Sequence, residues 1–118
     1  MIHSMNIDDA GHKFGSDSKE YRYSVRVADN LLSTFIPKWI EEGYTIIVTS
    51  DHGMSVDGMH SGKDKLEAEV PLWVINDKKD LQLGEEIEQI YVTSIITSIL
   101  GIGTDEMKKR AETFYRGY

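Results

Sequence analysis

Two short stretches of this sequence concentrate side chains that hold divalent metal ions. Asp51 and His52 come together directly after an apolar run, and His60 follows eight residues after His52. A second pair, Asp8 and His12, lies near the start of the chain. Carboxylate oxygens and imidazole nitrogens are the ligands that zinc and related ions take in proteins. Three histidines and at least two aspartates in this pattern predict a metal site.

The apolar runs before these clusters indicate which elements position them. Residues 44–49 follow a glycine and are mostly β-branched or apolar, which is typical of a buried parallel strand. Residues 2–7 predict a shorter first strand, with Asp8 and His12 at its carboxyl end. Ligands in open α/β sheets bind at the carboxyl ends of strands. We therefore expect the two clusters to meet at one edge of a sheet.

A long amphipathic helix is predicted between these strands, over residues 19–42. Its apolar side chains recur at spacings of three and four, residues 16–18 offer hydroxyl and carboxylate N-caps, and Gly43 suits its end. Pro37 lies inside the pattern and predicts a kink or a break just before it. A strand, a helix and a second strand in this order form a right-handed βαβ unit in nearly all known cases.

The rest of the chain predicts a loop followed by further strands and helices. Residues 50–69 form a loop whose length and metal-ligand side chains favour a functional role. A strand, a polar loop, a short helix and a last helix follow over residues 70–75, over 76–84, over 93–100 and after Thr104. The fold class expected from this order is α/β, with residues 1–118 in a single domain.

Composition excludes several classes of protein. The chain of 118 residues is long enough for one domain with a modest core. It has no cysteine, which excludes disulfides and thiolate zinc sites, and its net charge of −7 argues against a nucleic-acid groove. No apolar run approaches the roughly 20 residues of a membrane span, and no signal peptide is visible. The compartment stays unknown, with the cytoplasm slightly favoured.

Other polar side chains near the clusters have competing interpretations. Asp9 competes with Asp8 as a ligand, and Asp57 lies between two candidate ligands in the loop. His3 lies inside the predicted first strand, where a packed or surface histidine explains it better than a ligand does.

Ser50 and two loop lysines also need an explanation. Ser50 directly precedes Asp51 and His52, but members of a catalytic triad meet in space rather than as consecutive residues, so we reject Ser50 as a nucleophile. Lys63 and Lys65 could meet an anionic substrate, although solvated lysines explain the pattern better.

Two motifs occur together in these stretches, D-x-x-G-H over residues 8–12 and S-D-H-G-M over residues 50–54. In combination they resemble the metal-binding segments of the alkaline phosphatase superfamily, and most of all its type I phosphodiesterase/nucleotide pyrophosphatase group. The eight-residue step from His52 to His60 is also similar to that of glycosylphosphatidylinositol ethanolamine-phosphate transferases. The resemblance covers at least residues 2–101.

This resemblance implies a fold and a set of ligands. The chain would be the C-terminal part of a longer catalytic domain, a three-layer αβα domain with a mainly parallel sheet. Asp8, His12 and His60 would hold one of two divalent ions, and Asp51 and His52 the other, with Zn²⁺ favoured and Mn²⁺ as the alternative. The family's Thr or Ser nucleophile and a further Asp belong to an N-terminal half that is not visible here.

The implied activity is metal-dependent hydrolysis of phosphodiester, pyrophosphate or phosphomonoester bonds, with a small phosphorylated substrate such as a nucleotide. A phosphotransferase or a mutase of the same superfamily is the alternative within enzymes. The alternative of another class is a non-catalytic metal-binding or interaction module. Without the nucleophile the chain alone would be inactive, and an uncovered strand edge and apolar face would make it self-associate.

Overall fold

A computed structural model describes residues 1–62, 64–75, 86–102 and 105–106 of the chain. The chain divides into two compact units, Met1–Lys78 and Lys79–Tyr118. The first unit contains helices α1 (Asn6–Phe14), α2 (Lys19–Glu41) and α3 (Lys65–Ala68), and strands β1 (Ile46–Thr49) and β2 (Leu72–Ile75). The second contains a 3₁₀ turn (Gln89–Tyr91) and helix α4 (Val92–Leu100). The helix predicted over residues 93–100 is therefore confirmed. The predictions for residues 76–84 and beyond Thr104 lie outside the described residues, apart from two helical residues at 105–106.

The predicted first strand is wrong, because α1 begins at Asn6 and the residues before it have no regular structure. Ile2 and Met5 are 80% and 49% exposed, so they provide no buried face on which a strand could pair. Asp8 lies in the first turn of α1 and His12 in the last, an arrangement of charges that suits the helix dipole. The two side chains therefore lie one helical turn apart instead of at the end of a strand.

Helix α2 confirms the prediction for residues 19–42, except that it is not broken at Pro37. Ser18 caps its N-terminus, where the Ser18 hydroxyl oxygen accepts a hydrogen bond of 3.0 Å from the Tyr21 N–H. Gly43 follows the helix with φ at 86°, as expected of a residue that closes a helix. Pro37 is exposed, so the carbonyl that lacks a helical partner there lies on the solvent side.

The two strands of the described chain pair antiparallel, from Ile46 opposite Ile75 to Thr49 opposite Leu72. The predicted strand at residues 44–49 is present as β1, but the parallel partner expected before α2 is not found in the described part of the chain. The expected βαβ unit is therefore not observed, and a mainly parallel sheet is not confirmed. Within the described residues, the architecture consists of helices and one small antiparallel sheet, so only the coarse class of mixed helix and sheet is supported.

The apolar face of α2 remains largely open to solvent. None of its residues is buried, and Val25, Leu31 and Phe35 are between 42% and 55% exposed. No described helix combines the length and the hydropathy that crossing a membrane requires. An open apolar face agrees with the predicted self-association, which stays a prediction.

The core of the first unit lies where the segment after β1 packs on α1. Met54 is 5% exposed and its side chain lies against Gly11, where a Cβ atom would stand 2.6 Å from the Met54 Cε atom. Gly58 approaches the same turn of α1, and a Cβ there would lie 2.7 Å from the carbonyl oxygen of Gly11. Residues 54–58 and α1 therefore meet backbone to backbone.

This close approach predicts a specific loss of stability in Gly58→Ala. Gly58 and Gly62 have nearly the same positive φ, 73° and 74°, but a Cβ at Gly62 would meet nothing within 4 Å. Gly62→Ala therefore measures the backbone cost alone, and Gly58→Ala adds a clash with the backbone of α1. We expect Gly58→Ala to lower the free energy of unfolding by about 1–3 kcal/mol more than Gly62→Ala, as measured by urea denaturation. Equal losses in the two variants would contradict this packing.

Candidate metal centre

Helix α1 and the segment after β1 bring three candidate ligands together. The Nε2 atom of His12 lies 3.6 Å from Oδ1 of Asp8, one turn earlier on the same helix. The Nε2 atom of His60 lies 3.1 Å from Nε2 of His12. One ligand atom from each of the three residues falls within 4.8 Å of the others. The structure thus brings together the three residues for which the family resemblance implies one shared ion.

His52 reaches the same cluster from the end of β1. Its Nε2 atom lies 3.6 Å from Asp8 Oδ1, and its ring stacks on that of His60 with the centroids 3.9 Å apart. Asp51 lies at the rim, because its side chain is 76% exposed and its Oδ1 atom is 3.8 Å from Nε2 of His52. The Asp8 carboxylate therefore lies between the His12–His60 pair and the Asp51–His52 pair.

Two backbone carbonyls orient the imidazole rings. The Nδ1 atom of His12 lies 2.8 Å from the carbonyl oxygen of Gly58, and Nδ1 of His52 lies 2.8 Å from the carbonyl oxygen of Gly53. A carbonyl oxygen only accepts hydrogen bonds, so each ring must carry its proton on Nδ1. In the neutral ring this leaves the lone pair on Nε2, which faces Asp8. Such partners are typical of histidines that bind metals through Nε2.

The chemistry of this donor set fits a divalent ion. Asp8 Oδ1 is buried and makes no hydrogen bond, although it lies near two imidazole nitrogens. A buried acceptor without a partner is unfavourable and rare. Zinc–nitrogen bonds of the usual length place neighbouring tetrahedral ligand atoms about 3.3 Å apart, close to the observed separations of 3.1 and 3.6 Å. A cation would therefore satisfy Asp8 once the three donor atoms, which lie within 4.8 Å of one another, draw together to bonding distances.

The charge of Asp8 also affects the pKa of a side chain on α2. Burial and, to a lesser degree, the Asp8 carboxylate raise the pKa of the Tyr21 hydroxyl above its ordinary value. Tyr21 and the two ring-orienting carbonyls, of Gly53 and Gly58, were not recognised as part of the site from the sequence. In the sequence, the only indication that these two carbonyls approach the histidine rings was that both belong to glycines, which permit close approach of a backbone.

Several competing candidates lie away from the cluster. Asp9 is exposed and is not among the grouped ligand atoms of the described residues. Asp57 is exposed in the turn between two ligands, and His3 is exposed before α1 begins. The preference for Asp8 over Asp9, and for a surface role of His3, agrees with this geometry.

Ser50 and Lys65 also have structural partners. The Ser50 hydroxyl donates to the carbonyl oxygen of His52 at 2.7 Å, which agrees with its rejection as a nucleophile. Lys65 forms an exposed ion pair of 3.1 Å with Glu69, so the interpretation as a solvated lysine holds. Lys63 lies outside the described residues.

Comparison with known proteins places these residues in a family. Residues 1–92 match the family model described as type I phosphodiesterase / nucleotide pyrophosphatase. The chain is 32% identical to GPI ethanolamine phosphate transferase 3 of Saccharomyces cerevisiae over 67% of its length, and 29% identical to the catalytic subunit of GPI ethanolamine phosphate transferase 3 of Mus musculus over 63%. It is 24% identical to GPI ethanolamine phosphate transferase 2 of Aspergillus fumigatus over 86%. No solved structure matches the chain significantly.

The chain corresponds to only a small part of these relatives, covering 7% of the mouse protein, 8% of the yeast protein and 16% of the Aspergillus protein. These relatives are named GPI ethanolamine phosphate transferases, and the comparison does not favour the cytoplasm, the compartment slightly favoured from the sequence. The match over residues 1–92 includes both motifs and every residue of the cluster. The resemblance seen in the sequence is thereby confirmed, and the chain belongs to the type I phosphodiesterase/nucleotide pyrophosphatase family of the alkaline phosphatase superfamily.

Proposed function

We propose that this chain forms the metal-binding part of an enzyme that transfers ethanolamine phosphate. The observation that carries the proposal is the buried, unpartnered Asp8 oxygen between imidazoles on both sides. The type of reaction is supported by the three relatives, which are all named GPI ethanolamine phosphate transferases. Transfer thus replaces hydrolysis, the first expectation, as the main proposal.

The ligand assignment is part of this proposal. Asp8, His12 and His60 hold one ion, and Asp51 and His52 contribute to a second. Imidazole and carboxylate donors favour Zn²⁺, with Mn²⁺ as the alternative. The first group is supported by the mutual proximity of its atoms, and the second by the position of His52 beside Asp8.

The chain's own residues prepare the site for phosphoryl chemistry. Two divalent ions, when bound, stabilise the charge on phosphoryl oxygens and activate an attacking oxygen. The carbonyls of Gly58 and Gly53 hold the rings of His12 and His52 in a fixed orientation, so little reorganisation is needed on binding. The nucleophile is not assigned to a described residue, and Ser50 is already engaged with the backbone.

Hydrolysis of a phosphodiester or pyrophosphate bond is the second candidate, and the name of the family favours it. Both reactions need the same stabilisation of phosphoryl charge, and they differ in whether an alcohol or water accepts the group. Because the acceptor leaves the metal ligands unchanged, recognition of the phosphorylated substrate, ethanolamine phosphate or nucleotide, discriminates between the two candidates better than the metal ligands do.

Removal of one ligand histidine should strongly weaken zinc binding at the first site. We expect the metal-stripped chain to bind Zn²⁺ with micromolar or tighter affinity in calorimetric titration. His60→Ala should weaken that affinity by more than about 100-fold, beyond the loss typical of an outer-shell partner. His3→Ala is the matched control, since His3 is exposed and lies before α1. Equal affinities for the two variants would contradict the assignment.

The Zn²⁺-loaded chain should bind ethanolamine phosphate. The ligand's phosphate is expected to contact the bound ions, so EDTA should remove the binding, as followed by the ³¹P chemical shift. Adenosine monophosphate serves as the comparison for the nucleotide-directed alternative. Tighter binding of the nucleotide would favour the hydrolase over the transferase.

The 118-residue chain should not turn over p-nitrophenyl ethanolamine phosphate. Two serines lie directly beside candidate ligands, Ser50 before Asp51 and Ser61 after His60. Their hydroxyls donate hydrogen bonds to the His52 carbonyl and to the Glu67 carboxylate, so neither is poised as a nucleophile. Release of p-nitrophenol is the measurement. Metal-dependent release that disappears in His52→Ala would show that the chain carries its own nucleophile.

A further inference from the structure

One buried carboxylate near the cluster has no part in the proposed ligand set. Glu67 lies in the short helix α3 and is 6% exposed, whereas its neighbour Leu66 is 57% exposed. Burying a carboxylate is costly unless hydrogen bonds compensate for the lost water. Because the acidic side chain of Glu67 is buried while the apolar side chain of Leu66 faces solvent, the contacts of Glu67 must compensate for the lost hydration of its carboxylate.

Glu67 accepts hydrogen bonds from Ser61 and Gly53, the two residues that directly follow the ligand histidines His60 and His52. Its Oε2 atom accepts a hydrogen bond of 2.7 Å from the hydroxyl of Ser61, which follows His60. Its backbone carbonyl accepts a hydrogen bond of 2.7 Å from the N–H of Gly53, which follows His52. The side chain and the main chain of one residue thus connect both ends of the loop that carries the histidines.

The contact with Gly53 continues to the imidazole of His52. The Gly53 N–H donates to Glu67, and the Gly53 carbonyl lies 2.8 Å from Nδ1 of His52. A Cβ atom at Gly53 would lie only 2.0 Å from the carbonyl oxygen of Leu66, so the turn packs directly on the backbone of α3. Asp64 caps α3 through a hydrogen bond of 3.0 Å from the Leu66 N–H, which fixes the start of the helix.

We propose that Glu67 is a positioning residue of the metal centre. Its hydrogen bonds with Ser61 and Gly53 hold the His60 segment and the His52 turn side by side, the arrangement in which the two rings stack 3.9 Å apart beside Asp8. Without the carboxylate, the Ser61 hydroxyl loses its hydrogen bond to α3, and the Nε2 atom of His60, one residue before, is held less firmly relative to the other donors. This inference rests on the proposed metal centre and adds a residue that touches neither the metal nor the substrate.

The test compares four variants of the full chain with the wild type. Glu67→Ala removes the acceptor, Glu67→Gln keeps an acceptor oxygen without the charge, and Ser61→Ala removes the donor. Glu69→Ala is the matched control, because Glu69 lies directly after the same helix and its carboxylate is exposed in an ion pair with Lys65. The readouts are the Zn²⁺ affinity by calorimetry, the visible absorption spectrum of the Co²⁺-substituted chain, and the urea midpoint of the metal-free chain.

We expect Glu67→Ala to weaken Zn²⁺ binding by about 10–100-fold, as for other outer-shell partners, and to change the Co²⁺ spectrum. Ser61→Ala should act in the same direction, and it carries the test should Glu67→Ala fail to fold. Glu67→Gln should keep the Zn²⁺ affinity and the Co²⁺ spectrum close to those of the wild type. Glu69→Ala should leave both unchanged.

Two results would overturn the inference while leaving the metal centre in place. The first is wild-type affinity and spectrum in Glu67→Ala and Ser61→Ala. The second is a loss in Glu67→Gln or Glu69→Ala as large as in Glu67→Ala, since the effect would then come from the negative charge alone. A wild-type chain that binds no Zn²⁺ would overturn the proposed metal centre itself, and the inference with it.

Discussion

The candidate centre depends on the backbone-to-backbone contact between α1 and the segment after β1. Gly58 can lie against the carbonyl oxygen of Gly11 only because it has no Cβ atom, and its own carbonyl then reaches Nδ1 of His12. The same contact brings His60, two residues further, to within 3.1 Å of His12. A larger separation between helix and loop would move the loop histidines away from Asp8, because α1 alone carries only Asp8 and His12.

The donor groups are held with unequal rigidity. Asp8 and His12 are fixed on consecutive turns of one helix, and the His12 ring is oriented by a carbonyl. His60 and His52 depend on a loop whose order comes from hydrogen bonds to its own backbone and to α3, such as the Ser55 N–H to the Met59 carbonyl at 2.9 Å. The buried Asp8 oxygen has no hydrogen-bond partner, which costs about 1–3 kcal/mol. A bound cation would recover that cost, so metal binding and the stability of this segment are linked.

The sequence predicted the grouping of polar side chains better than the elements that carry them. Residue types, spacing and the family resemblance together singled out Asp8, His12, His52 and His60, because few side chains bind divalent ions and the two motifs limit the choices. The strand predicted just before Asp8 was wrong because three apolar positions in a six-residue window fit the periodicity of a strand and that of a helix equally well. The deciding contact, Met54 against Gly11, joins residues far apart in the sequence. Antiparallel pairing of β1 with β2 depends in the same way on where the chain turns back, which the pattern within each strand does not encode.

The position of Asp8 makes the two proposed ion sites interdependent. Its Oδ1 atom lies 3.6 Å from Nε2 of both His12 and His52, so a cation held by either group lies within the field of the same carboxylate. The group on α1 has two helical ligands and an oriented ring, whereas Asp51 is largely exposed and brings little preorganisation. The site of Asp8, His12 and His60 is therefore expected to fill first. An ion bound there would neutralise the Asp8 charge, so the second site would then rely on His52 and Asp51.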